Sequence, residues 1–318
     1  MTRFDSETLQ LLTAEPVTEI LIQDRGGRLW FGNENALCCL FEGQQRYQSF
    51  NAQVRSLLED SIGNLWVGTV GDGLYCYDSP DAVWESTGGA QRHLLVSQSI
   101  GAKQREMFFT TENGLGSSNV QFLLEARDGT SWVGTAYPGC LCRYTEKTLE
   151  AIPTPLHAVF RLLEDSQGRI WMGGWAGGGL SCYDGKKFIT YTVADGLPDD
   201  NVGSIVEDDA GNLWIGTQRG LCCFDGKDFI TYRKEQGLTS LFHQWSAKDV
   251  TGQLWFGTLR GGLYRYDGKH FQWLTTEDGL PSNSITGLLP QPDGSMIIGT
   301  YRGIVHYCPT ATLPTPIQ

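Results

Sequence analysis

One phrase returns seven times along the 318 residues, and no other feature constrains the fold as strongly. Its cleanest copy is Glu207, Asp208, Asp209, Ala210, Gly211, Asn212, Leu213, Trp214, Ile215, Gly216, Thr217. A fixed-period repeat means that the chain is assembled from copies of one unit that cannot bury its hydrophobic face alone. With tryptophan as the marker, the copies fall at Trp30, Trp66, Trp132, Trp171, Trp214 and Trp255, and Ile297 holds the same slot in the last. The intervals are 36, 66, 39, 43, 41 and 42 residues. The long interval exceeds its neighbours by about 24 residues, which is short of another unit of roughly 40, so it reads as an insertion and the count stays at seven.

Within the fifth unit, "NVGSIVED", "LWIGT", "GLCCFD" and "DFITYR" are β-rich runs separated by Gly, Asp and Asn turn signals, which makes four strands per unit. The "DDAGN" joint offers Asp209 and Asn212 as side chains that bond local backbone, and Gly211 as the residue that accepts positive φ. A calcium loop is the competing reading of these aspartates, but one turn supplies too few oxygens for about six to eight ligands. No run of helical periodicity competes, so the chain reads as all-β. Four-stranded units repeated around an axis make a seven-bladed β-propeller, with four antiparallel strands per blade. An open solenoid would need polar capping units, and neither end resembles one.

The last unit lacks a fourth strand: after "GIVHYC" it runs into the proline-rich "PTATLPTPIQ", which cannot feed a sheet ladder. Residues Phe4 to Thr13, "FDSETLQLLT", resemble the fourth strand and exit loop of another unit, "FQWLTTEDGL" from Phe271. The N-terminal strand is therefore expected to close the last blade. Residues 1–13 are assigned to blade seven, about 79–103 to an insertion in blade two, and the whole of 1–318 to a single domain.

The segments "GNLWIGT", "GGLYRYDGKHF" and "YTVADGLPDDNV" resemble the two-component regulator propeller repeat, and the likeness runs along essentially the whole chain. The resemblance implies a seven-bladed domain of the kind that serves as the ligand-sensing portion of bacterial hybrid histidine kinases, commonly as a tandem pair outside the membrane. The chain departs from that pattern in holding one propeller, no membrane span, no kinase segment and no immunoglobulin-like module. It also departs chemically: where the family usually has Arg before Tyr-Asp, as in Arg265-Tyr266-Asp267, stand Cys39, Cys76, Cys182 and Cys223, with Arg143 and His306 in two other units.

Composition narrows the function. A net charge of −12 argues against nucleic acid, whose phosphates need a basic face. No apolar stretch reaches the about 20 residues of a membrane span. Asp5 and Glu7 sit where a secretory leader would need an apolar run, so none is expected. The nine cysteines are an odd count, and equivalents on different blades are too far apart to pair; they read as small buried apolar residues in a reducing compartment. A cytoplasmic monomer without cofactor or metal is expected.

The loops leading into first strands and those joining second to third strands should share one end of the ring, around the channel, and any site is expected there. Arg219, Arg260 and Arg302 take near-equivalent loop positions in three successive blades, with Gln218 and Tyr301 beside them. They are either solvated turn residues or a donor set for a small carboxylate, sulfate or phosphate ligand. Trp175, in the glycine-rich "GWAGGG", and Tyr137, beside Pro138, could stack on a carbohydrate-like ligand or on a protein partner, or pack on neighbouring loops. Blade six replaces the Pro198, Asp199, Asp200, Asn201 pattern with Ser240, Leu241, Phe242, His243, Gln244, Trp245, and His243 joins the candidate ligand contacts. Streptogramin lyases, propellers of similar size, use His and Glu near the channel with a divalent metal; here His157 and His243 come from blades four and six and are offset in alignment, Glu19 with Arg55 reads as an ion pair more than as a base, and no nucleophile, base and orienting group stand together. The third reading is an interaction scaffold that uses the blade-two insertion, with Trp84 and the apolar run from His93 to Ile100.

Overall fold

The computed structural model describes residues 2–3, 9–15, 17, 20–33, 36–85, 106–145, 148–233, 238 and 243–309. Twenty-eight strands form seven four-stranded meanders. Their first strands are Leu21–Gln23, Val54–Glu59, Val120–Glu125, Val159–Glu164, Val202–Glu207, His243–Lys248 and Ile285–Pro290. Each touches the next around the ring, and the last touches the first, so the seven sheets close on themselves about a central channel. Blade seven takes its fourth strand from the N-terminal side, Leu9–Thr13, which runs antiparallel to Gly303–Tyr307. Thr2–Arg3 adds something the sequence did not announce: a short parallel strand on the outer edge of blade six, against Phe271–Leu274. Residues 4–8, the rest of the expected closing segment, lie outside the described residues.

The repeated phrase works through an aspartate. In blades one, two, four, five and six the carboxylates of Asp24, Asp60, Asp165, Asp208 and Asp249 accept the indole N–H of Trp30, Trp66, Trp171, Trp214 and Trp255 at 2.7–3.0 Å. The other carboxylate oxygen caps the hairpin between first and second strands; in blade five Asp208 accepts from the backbone of Ala210 at 3.0 Å and Asn212 at 2.8 Å. Here the structure corrects the sequence reading, in which Asp209 was the turn residue. Asp209 instead reaches Lys248 of blade six at 2.8 Å.

That contact belongs to a second repeated device. The residue after the aspartate slot, which Ala126 fills in blade three, donates its backbone N–H to the glutamate that ends the first strand of the next blade: Arg25 to Glu59, Ser61 to Glu125, Arg127 to Glu164 and Ser166 to Glu207, at 2.7–2.9 Å. Blade six has Lys248 in the glutamate slot, and blade five answers with a carboxylate in the facing position, so the lock is kept with its charges exchanged.

The glycine that follows the second-strand core residues, usually in "GT", permits the close approach of neighbouring blades. A side chain on Gly173 would meet Val202 Cγ1 at 2.9 Å, and one on Gly257 would meet Ile285 Cγ2 at 2.5 Å. The residues they face, Val54, Val120, Val159, Val202 and Ile285, are buried between blades. All nine thiols are free and eight are buried. Burial pushes Cys38 and Cys142 up to about 12 and Cys39, Cys182 and Cys223 up to about 11, so they serve as apolar filling, the last three across the ladder from Trp30, Trp171 and Trp214.

The described start of the blade-two insertion is tied to blade one. Trp84 stacks on Trp30 at 5.5 Å with Arg46 over its ring, and Asp81 pairs with Arg28 at 2.6 Å. Residues 86–105, including the run from His93 to Ile100, lie outside the described residues.

Removing the Asp208 carboxylate would leave a buried indole N–H and two turn amides without acceptors. Asp208→Ala is expected to cost about 1–3 kcal/mol, measurable as a fall in the urea midpoint at unchanged slope. The same carboxylates set the acid limit. Burial works to raise the pKa of Asp165 and Asp208, but it is outweighed by the bonds from Trp171 and Arg169 and from Asn212, Trp214 and Ala210, so both lie below the usual value. A depressed folded pKa gives stability that is complete above the unfolded value near 3.9 and is lost as pH falls through the folded one. Unfolding free energy should therefore drop below about pH 4, and Asp165→Asn with Asp208→Asn should flatten that limb.

Candidate functional site

The loops joining second to third strands and those leading into first strands meet at one end of the ring. Tyr137 N–H donates to His157 O at 3.1 Å, Trp175 N–H to Ala158 O at 3.2 Å, Gln218 N–H to Asn201 O at 3.1 Å and Tyr301 N–H to Ser284 O at 3.2 Å. The threonine of each "GT" fixes the loop that follows it. The hydroxyls of Thr217, Thr258 and Thr300 donate to Gly220, Gly262 and Gly303 carbonyls at 2.8–2.9 Å, and accept in turn from the backbone of Arg219, Gly261 and Arg302. Rigid loops of this kind hold their side chains ready for a ligand without an ordering cost.

The sequence-derived candidates separate on this face. Arg260 and Arg302 are exposed, and among the described residues no acceptor is bound to either guanidinium. Arg219, in contrast, faces Asp199 with Nε 3.2 Å from a carboxylate oxygen, and Gln218 accepts from the Asn201 side chain at 3.1 Å, so both are engaged within blade five. Tyr301 is 44% exposed and Tyr137 63% exposed. Tyr137 also holds φ at 52°, a left-handed conformation that is uncommon for a bulky residue and characteristic of sites under functional constraint. Tyr137 and Trp175 belong to blades three and four, and the three arginines to blades five, six and seven, so one end of the ring carries an aromatic and a basic sector.

His243 is not on the face at all. It takes the slot held by Val159, Val202 and Ile285 in sister blades and is 0% exposed, packed edge-on to Phe256 at 6.3 Å and beside Tyr264 at 5.8 Å. The reason is register: it is the first residue of its strand, paired with Thr258, and there the side chain points between blades. Residues 239–242, the remainder of that divergent stretch, and Glu19 lie outside the described residues.

The structure adds a constellation that the sequence reading missed. Most first strands carry a bulge at their second residue, between Val54 and Ser56, Val120 and Phe122, Val159 and Arg161, Val202 and Ser204, His243 and Trp245, and Ile285 and Gly287. A bulge re-aims side chains, here toward the channel. Arg161, only 7% exposed, donates to its neighbour Phe160 O at 2.8 Å and across the ring to Gln244 O of blade six at 3.1 Å. It lies over the rings of Trp245 at 4.5 Å, Phe160 at 5.3 Å and Phe122 at 5.4 Å. Blade five leaves this crossing open because it offers only Gly203 and Ser204. Phe160 is itself covered by Arg55 at 4.8 Å and stacks on Trp175 at 5.1 Å, which carries the contact up to the loop face. The signal in the sequence was variation: the second and third residues of each first strand differ between blades while the rest of the repeat holds.

Cation–π contacts and two hydrogen bonds at a buried position make Arg161 the central tie of the channel. Arg161→Ala is expected to lower unfolding free energy by about 2–4 kcal/mol, and Arg161→Lys, which lacks the planar fork, to recover less than half of that. Chemical denaturation of the three proteins measures both.

A family model described as "Two component regulator propeller" matches residues 48–71, 155–176 and 196–219. Among curated proteins there is no match. Of solved structures, the extracellular domain described as that of a hybrid two-component system from B. thetaiotaomicron aligns over 96% of this chain at 20% identity and a TM-score of 0.74, and this chain spans 40% of its length. Virginiamycin B lyase from Staphylococcus aureus aligns over 94% of this chain and 98% of its own at 11% identity and a TM-score of 0.72. YCF48 bound to D1 peptide aligns over 97% of this chain and 98% of its own, with 13% identity and a TM-score of 0.69. At such identities the likenesses establish the seven-bladed architecture. The matched segments take in the first two strands of blades two, four and five, where aspartate–tryptophan pairs sit, and these three segments are similar to the two-component regulator propeller repeat.

Proposed function

We propose that this chain is a non-catalytic recognition propeller of the sensor-input kind, and that it binds a small anionic or carbohydrate-like ligand at the loop face. One observation carries the reading: rigid loops on a single end of the ring present the Arg260 and Arg302 guanidinium groups and the exposed rings of Tyr137 and Tyr301. Guanidinium forks match carboxylate, sulfate or phosphate oxygens, and aromatic faces match sugar rings. Arg219 contributes only after release from Asp199, so the ligand contacts centre on blades six and seven, with Tyr137 and Trp175 as the aromatic wall opposite.

The match of three segments to the two-component regulator propeller repeat supports this reading, as does likeness to an extracellular domain of a two-component system. A lyase reading loses one of its two histidines, because His243 has no surface to offer a substrate. Among the described residues no group of three or more His, Cys, Asp or Glu could hold a metal ion, and no helix is long and apolar enough to cross a membrane. Nine free thiols support the cytoplasmic assignment, whereas the matched sensor structures are extracellular domains; a redox-sensitive reporter fused to the chain decides between the two compartments.

A thermal-shift screen against acidic oligosaccharides and small anions tests the site. A ligand at a hundredfold excess over its dissociation constant adds about 2.7 kcal/mol to stability, and the shift is expected to vanish when Arg260 and Arg302 are both changed to Ala. A shift that persists in that variant refutes the proposed site. The absence of any shift redirects the search to a protein partner on the same face.

A further inference from the structure

At the opposite end of the ring, between blades three and four, lies a cleft of about 200 Å³ lined by Trp132, Ala126, Arg143, Tyr183, Asp128 and Glu164 among others. Its origin is one substitution in the repeat. Blade three keeps the hairpin backbone, with Ala126 N–H donating to Thr130 O at 2.8 Å and Gly129 N–H to Ala126 O at 2.9 Å, as Asp60 and Gly63 do in blade two. It also keeps the tryptophan. What it lacks is the aspartate, because Ala126 stands in that slot.

Trp132 is 8% exposed, and among the described residues its indole N–H has no hydrogen-bond acceptor. In five sister blades the same atom donates to a carboxylate at 2.7–3.0 Å. Blade seven departs differently: Gln291 and Ile297 replace both members of the pair, so no donor is left over. Blade three alone keeps a donor and omits its acceptor, with open space between them. The Trp132 indole N–H opens onto the cleft, where a ligand carboxylate can meet it in the place that an aspartate holds in the sister blades.

The surroundings define the ligand. Arg143 lies across the ladder from Trp132 and lines the cleft; its Nη2 bonds Glu150 at 2.9 Å, which leaves its other guanidinium donors for the cleft. The carboxylates nearby already accept other donors: Asp128 takes Thr130 N–H at 2.9 Å, Glu164 takes Arg127 N–H at 2.8 Å, and Asp184 takes the N–H groups of Lys186 and Lys187 at 2.9 Å. Tyr183 closes the side, edge-on to Trp132 at 6.2 Å. We propose that this cleft binds a small carboxylate-bearing molecule, whose carboxylate takes the place of the missing aspartate, accepting from Trp132 Nε1–H and pairing with Arg143, while Tyr183 contacts the apolar remainder.

The test is an indole N–H NMR titration of the full chain with sodium acetate and with sodium glucuronate, against sodium chloride at equal ionic strength. The Trp132 signal is assigned from its loss in Trp132→Phe. The expected result is a saturable movement of that signal, with half-saturation on the order of 1–10 mM for acetate, as befits so small a ligand. Ala126→Asp supplies the carboxylate internally, and in it the Trp132 signal should start displaced and ignore acetate. Arg143→Gln should weaken acetate binding about tenfold, in keeping with the loss of one charge-assisted bond. A Trp132 signal that does not respond by about 100 mM, that follows chloride equally, or that moves in Ala126→Asp as in the parent protein overturns the proposal.

Discussion

The ring leans on a carboxylate drawn in from the surface and repeated in five of its seven blades. Five aspartates sit at the start of a first hairpin, and each divides its oxygens between two tasks: one oxygen caps the turn, the other takes the indole N–H of a tryptophan six residues on. A tight turn is thereby locked to a large aromatic side chain in the space between blades. Burial opposes the charge, and the number of donors overcomes that opposition.

Neighbouring blades are then joined at one repeated point, the glutamate that ends a first strand and takes the turn amide of the blade before. The exchange at blades five and six, Asp209 with Lys248, shows that geometry is kept while charge is free to swap. Against this regularity the channel stands out. Arg161 crosses from blade four to blade six, ringed by Phe122, Phe160 and Trp245, and binds non-adjacent blades directly. A buried guanidinium is tolerated there because Nη1 and Nη2 each find a carbonyl and its faces find π systems.

Much of the fold was legible in the residues. The spacing of Trp30, Trp66, Trp132, Trp171, Trp214 and Trp255 counted the blades, and the orphaned last unit pointed to Leu9–Thr13 as its missing strand. Turn chemistry was legible only in part: adjacent aspartates at 208 and 209 look alike in sequence, and the structure shows that the one six residues before the tryptophan caps the turn while the other reaches Lys248. The site was legible as a face and not as a set of contacts. Arg219 reads like Arg260 and Arg302, yet Asp199 engages it; His243 reads like a polar intruder at the channel, yet strand register turns it into the space between blades.

What the sequence by itself determined is whatever depends on short separations: strand pattern, the places of the turns and the number of units. These follow from local bonding and periodicity, which a linear chain records directly. The tertiary structure alone decided which side chains meet across the ring. Arg161 and Gln244 are 83 positions apart, and their contact exists because blade five presents Gly203 and Ser204 between them. In the same way the cleft beside Trp132 is invisible as the single replacement of aspartate by Ala126, until closure of the ring sets blades three and four side by side and leaves one indole N–H facing empty space.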